Sequence, residues 1–77
     1  MDKDIAILRR ATEIFDNAKG HDICINSLTF IPCLHGHICL YNAEPLLHMT
    51  YTRPEVISLI YDEILEYGER EYETDSE

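Results

Sequence analysis

DICINSLTFIPCLHGHICLYNAEPLLHMTY, residues 22–51, decides the fold. β-branched and aromatic residues are frequent in it, Asn, Gly and Pro punctuate it, and charged residues almost vanish. That combination reads as short strands joined by turns. A first strand is expected near Ile23 to Ile31. Its alternation changes phase between Ile23/Ile25 and Leu28/Phe30, so a bulge or turn belongs at Asn26-Ser27 and the strand can be two. Pro32 and Gly36 frame a connection. His37 to Tyr41 reads as a second strand, Asn42-Ala43-Glu44-Pro45 as a turn, and Leu46 to Tyr51 as a third strand. Turns this short make the neighbours antiparallel. A single hairpin with His35-Gly36-His37 at its tip is also compatible with these residues, which leaves the strand count open by one.

Helical spacing flanks this segment on both sides. From Asp4 to Ala18 the residues Ile5, Leu8, Ala11, Thr12 and Phe15, with Ile7, Ile14 and Ala18 beside them, recur at 3.6-residue intervals. Asp2 and Asp4 suit the positive end of that helix, Lys19 suits its negative end, and Gly20 can stop it. Thr52-Arg53-Pro54-Glu55 has the form of a capping box with proline in the first turn. The helix it opens carries Val56, Ile57, Ile60, Tyr61, Ile64 and Leu65 as a core stripe, and Gly68 marks the end of its packed part. Leu8, Phe15, Ile60 and Ile64 are expected in the core. Residues 69–77, EREYETDSE, have almost nothing to bury and read as a frayed helical extension or a disordered tail.

The predicted fold is therefore α+β: an N-terminal helix, a three-stranded antiparallel meander, and a C-terminal helix with an acidic tail, both helices on one sheet face. Residues 1–69 form the single domain and residues 70–77 the tail. A chain of 77 residues buries only roughly 60% of the surface it exposes when unfolded. A dimer interface along an unpaired sheet edge, or a partner, is a natural source of further stability.

With 45% hydrophobic residues the chain is expected to fold despite a formal net charge of −9. No window approaches the roughly 20 apolar residues of a membrane span, and MDKDIAILRR lacks the layout of a secretory signal. A cytoplasmic location is expected. Cys24, Cys33 and Cys39 are an odd number, which favours reduced thiols over a disulfide framework. The acidity repels phosphate backbones and anionic membranes and favours basic surfaces as partners.

Cys33, His35, His37 and Cys39 set four metal-ligating side chains at every second residue. A straight strand would hold the two cysteines roughly 20 Å apart, too far for one zinc. A turn at Gly36 could close the set, with Cys24 or His48 supplying a further ligand. The preferred reading has no metal and no cofactor; a zinc-stabilised regulatory module on Cys33, His35, His37 and Cys39 is the alternative. No nucleophile-elbow motif accompanies the thiols, Gly20, Gly36 and Gly68 lie too far apart for a phosphate loop, and Arg9-Arg10 is too small a basic patch for direct nucleic-acid binding. Enzymatic activity is not expected.

Charge layout is the strongest functional signal. Residues 62–77 carry Asp62, Glu63, Glu66, Glu69, Glu71, Glu73, Asp75 and Glu77 against Arg70 alone, which is most of the net charge. On a continuing helix Asp62, Glu66, Glu69 and Glu73 would form one row whose self-repulsion a cationic partner would relieve. Tyr61, Tyr67 and Tyr72, with Tyr41 and Tyr51 in or beside the strands, add rings of the kind enriched at interfaces. Tyr61 shares the core phase of its helix. The partner-binding set is accordingly Asp62, Glu63, Glu66, Glu69, Glu71, Tyr72 and Glu73; a merely solubilising tail is the plainer alternative. The leading expectation is a non-enzymatic binding protein or inhibitor that offers this acidic helix to a basic, nucleic-acid-binding surface of another protein. A structural homodimeric assembly protein is the other alternative. In size and charge the chain is similar to phage-encoded inhibitors of bacterial defence nucleases, including anti-CRISPR proteins and nucleic-acid mimics, a likeness of composition that transfers no residue roles.

Overall fold

Asn26 and Ser27 are a two-residue turn. Asn26 takes φ 54, a left-handed conformation that asparagine tolerates better than most residues, and Ile25 pairs directly with Leu28 across it. The computed structural model describes residues 2–45 and 50–69, and residues 72–74 by their backbone. Its elements are α1 (Asp2–Ala18), β1 (Ile23–Ile25), β2 (Leu28–Cys33), β3 (Gly36–Tyr41), β4 (Glu44–Pro45), α2 (Arg53–Tyr67) and β5 (Tyr72–Thr74). The strands form one antiparallel sheet in the order β4-β3-β2-β1-β5.

The fold is α+β, as the sequence predicts, with five strands in place of three. The strand expected at Ile23 to Ile31 is two. Residues 46–49, the body of the expected third strand, lie outside the described residues; Tyr51 at its end makes an isolated bridge to His37, with N–H···O distances of 2.8 and 2.7 Å. The Asn42-Ala43 reversal joins β3 to β4 with both residues at positive φ, 53 and 70, the primed turn that matches strand twist. The C-terminal segment departs further from expectation: Tyr72–Thr74 pairs with Ile25–Ile23, so this part of the tail is an edge strand, neither helix nor free coil.

Ala43 is strained at φ 70, since its Cβ meets a backbone oxygen in the left-handed region. Ala43→Gly should therefore stabilise the protein by about 1 kcal/mol, measured as a higher urea midpoint at unchanged m-value. Gly36 has the opposite requirement: at φ 148 it lies where a Cβ would sit 2.4 Å from the Tyr51 carbonyl oxygen. Only glycine lets the Thr50-Tyr51 backbone approach β3 so closely.

Alternation along the strands turns Ile23, Ile25, Leu28, Phe30 and Cys39 to one sheet face. There they join Ala11, Ile14 and Ala18 of α1 and Val56, Ile57 and Ile60 of α2 in a single buried cluster. The buried positions of α1 are Ala11, Ile14 and Ala18, two of them alanines. The expected stripe is thus turned toward α2. Ile5 is exposed, Leu8 is 50% exposed, Phe15 packs at the margin, and on α2 Leu65 is exposed while Ile64 is partly buried. Of the four residues expected in the core, Ile60 is fully buried, Phe15 and Ile64 lie at its margin, and Leu8 lies outside it.

The start signals of the second helix hold, whereas Lys19 lies beyond the end of α1 at φ 53. The Glu55 carboxylate accepts from the Thr52 backbone N–H at 2.8 Å and from its hydroxyl at 3.0 Å, and Pro54 lies in the first turn. Thr52→Ala should cost about 1 kcal/mol, read from thermal unfolding; an unchanged midpoint would discredit the cap.

Candidate partner-binding site

α2 ends where Gly68, at φ 81, leaves the helix with its N–H donating to the Ile64 carbonyl at 2.9 Å. The end is set by glycine's access to the left-handed region, which a side chain would resist. This stop breaks the acidic row that a continuing helix would have made. Asp62 and Glu66 remain exposed on α2 and Glu63 is half-buried beside them. Glu69, beyond the stop, turns back to α1: its carboxylate accepts two bonds from Arg10 Nε, at 2.9 and 3.0 Å, and one from Arg10 Nη2. The pair holds the guanidinium pKa above its ordinary value, chiefly through that hydrogen bonding, and commits Glu69 to an intramolecular tie. Glu71 lies outside the described residues. Tyr72 and Glu73 stand opposite Ile25 and Cys24 in the sheet register. Of the set of seven, Asp62, Glu63 and Glu66 stand together on α2 as described carboxylates.

Four residues outside the expected set surround one of them. The two hairpin turns lie side by side, the Asn42 N–H donating to the Ser27 carbonyl at 2.9 Å, and the Asn26 Nδ2 donates to the Gly68 carbonyl at 3.2 Å. These bonds bring the β1-β2 turn, the last residue of β3 and the C-terminal end of α2 to one end of the molecule. Asn26, Ser27, Tyr41, Glu63 and Tyr67 line a cavity of about 240 Å³ there. Tyr41 is 50% and Tyr67 58% exposed, whereas the Asn26 Oδ1 is buried and has no hydrogen-bond partner among the described residues. A buried acceptor left without a donor costs on the order of 1–3 kcal/mol. Glu63 carries the only formal charge of the lining among the described residues, and the C-terminal end of α2 adds partial negative charge. The site attracts cations and hydrogen-bond donors.

A larger and more apolar groove, about 540 Å³, runs between the helices and is lined by Ile5, Leu8, Pro54, Ile57 and Tyr61 among others. Its charges are of both signs: Asp4 lines it, and so does Arg53, whose Nη2 donates to both Asp16 oxygens at 3.1 Å. It lacks the one-signed electrostatics of the smaller site.

The Cys33, His35, His37 and Cys39 set is split by the β2-β3 hairpin. Cys33 pairs with Gly36, Pro32 with His37 and Phe30 with Cys39, so His37 and Cys39 turn to the helix-covered face and Cys33 to the other. Leu34 and His35 form the exposed tip. Cys39 is fully buried, and the His37 ring packs tilted by 60° against the Phe15 ring, centroids 5.1 Å apart. Burial pushes the His37 pKa down, against a smaller upward pull from the Asp22 charge, and pushes the Cys39 thiol pKa up, with the Glu63 charge adding to the rise. No group of three or more metal-ligating side chains converges among the described residues, and the alternation that suggested a shared face is reversed by the turn.

No helix of the described residues is long and apolar enough to cross a membrane. Compared with known proteins, the chain matches no family model, no curated protein and no solved structure.

Proposed function

We propose that the chain is a non-enzymatic binding protein, an inhibitor that sets Asp62, Glu63 and Glu66 at the end of α2 against a basic surface of a partner protein. The observation that carries this reading is where those acids stand. They occupy the last two turns of a helix with no basic residue in its final turn, so the macrodipole opposes them. Asp62-Glu66 and Glu63-Glu66 are also like-charge neighbours at helical spacing. Local stability favours lysine at these positions. A cationic partner relieves both terms at once and supplies the reason for keeping acids there. The concrete form is a phage-type inhibitor of a defence nuclease, with the acids occupying a groove that otherwise holds nucleic acid.

Glu66→Lys separates this reading from a purely solubilising role. It should raise stability by about 0.5–1 kcal/mol while weakening retention of the partner, measured by thermal unfolding and by affinity capture from the host cell. DNA or RNA should compete with the captured partner, because both would seek the same cationic groove. Capture that Glu66→Lys leaves intact and nucleic acid does not disturb would overturn the proposal.

A further inference from the structure

We propose that the cavity bounded by Asn26, Ser27, Tyr41, Glu63 and Tyr67 is an anchor site for one guanidinium group, the head of an arginine side chain presented by the basic partner. The cavity's chemistry stands on its own; only the source of the arginine rests on the function proposed above. At about 240 Å³ the cavity falls below the roughly 300–1,000 Å³ of a small-molecule pocket and suits a single long side chain.

Its lining selects the sign and kind of ligand. Glu63 brings a carboxylate, and no lysine, arginine or histidine among the described residues lines the cavity, so the described lining offers an anion no counter-charge. The Asn26 amide is oriented by its own bond: Nδ2 must face the Gly68 carbonyl, which can only accept, and that bond at 3.2 Å leaves Oδ1 as a buried acceptor with no partner among the described residues at the cavity's edge. A carboxylate that can accept two parallel N–H bonds and two half-exposed tyrosine rings fit a planar fork of N–H donors that can also stack. An ammonium is a point charge with a tightly held hydration shell and exploits this combination less well. Glu63 is half-buried beside the exposed Asp62 and Glu66, so the outer acids can steer a basic segment while the cavity fixes one of its residues.

N-acetyl-arginine methylamide is the probe, titrated into the intact 15N-labelled protein, with the lysine and citrulline analogues as comparators. Arginine should shift the amide signals of Asn26, Ser27, Tyr41, Glu63 and Tyr67 and saturate, with the lysine and citrulline analogues at least tenfold weaker. Glu63→Gln should weaken arginine at least tenfold with the remaining spectrum preserved, and Tyr67→Ala should weaken it severalfold. Arg70→Gln should leave the affinity unchanged. A tenfold gain on that substitution would assign the cavity to the chain's own arginine and overturn the proposal. Equal responses to lysine and arginine, shifts spread evenly over Asp62 and Glu66, or indifference to Glu63→Gln would overturn it as well. Failure of the arginine titration while partner capture remains charge-dependent sinks the anchor alone. Site-specific arginine binding with charge-independent capture sinks the proposed function alone.

Discussion

Phe30→Ala should cost about 3–5 kcal/mol and leave a large part of the population unfolded at room temperature. The side chain is the largest of the fully buried ones and lies in the middle of the sheet row Ile23-Phe30-Cys39, under both helices. Removing it deletes the transfer energy of the ring and leaves a cavity that a thin core cannot collapse to fill. Domains in general keep only about 5–15 kcal/mol, and one of this size belongs at the lower end. Ile14→Ala and Ile60→Ala should each cost on the order of 2–5 kcal/mol. Leu8→Ala should cost under about 1 kcal/mol, since half of its side chain already meets solvent. Urea unfolding of the four variants checks the ranking. A Leu8 effect equal to that of Phe30 would mean that α1 faces the sheet with its other stripe.

That stripe shows where sequence reading stops. Ile5, Leu8, Thr12 and Phe15 recur as regularly as Ile7, Ala11, Ile14 and Ala18, and a 3.6-residue period does not say which of two adjacent stripes meets the sheet. The buried stripe carries Ala11 and Ala18 beside Ile14, and alanines do not mark a core face in the sequence as larger side chains do. The features legible in advance were all local: the phase change at Asn26-Ser27, the capping box at Thr52 and Glu55, the stop at Gly68. Each is written in a few neighbouring residues.

The C-terminal strand was not legible, since Tyr72–Thr74 is short and its pairing partner, β1, lies some fifty residues earlier in the chain. The candidate site was half legible. Acid clustering on α2 is visible in the chain, but Asn26, Tyr41 and Glu63 meet only because two turns and a helix end converge, and nothing in their spacing encodes that. The same turn chemistry separated Cys33 from His37 and Cys39, reversing a facial alignment that only an unbroken strand would have made.

Binding to the basic partner should weaken tenfold or more, about 1.4 kcal/mol, when Asp62, Glu63 and Glu66 are changed together to Asn, Gln and Gln. These replacements keep size and polarity, and they remove like-charge repulsion within α2, so the fold should be retained and slightly stabilised. The loss should appear first in the association rate, because exposed charges steer the encounter over distances that salt screens. The Debye length falls from about 10 Å at 0.1 M to 3 Å at 1 M, so the difference between wild type and variant should close across that range. The most direct measurement is therefore the dissociation constant of the captured partner for wild type and the triple variant at both salt concentrations. A tenfold or larger gap at 0.1 M that collapses at 1 M is the predicted result; equal affinities at low salt, with wild-type binding unmoved by salt, would contradict it.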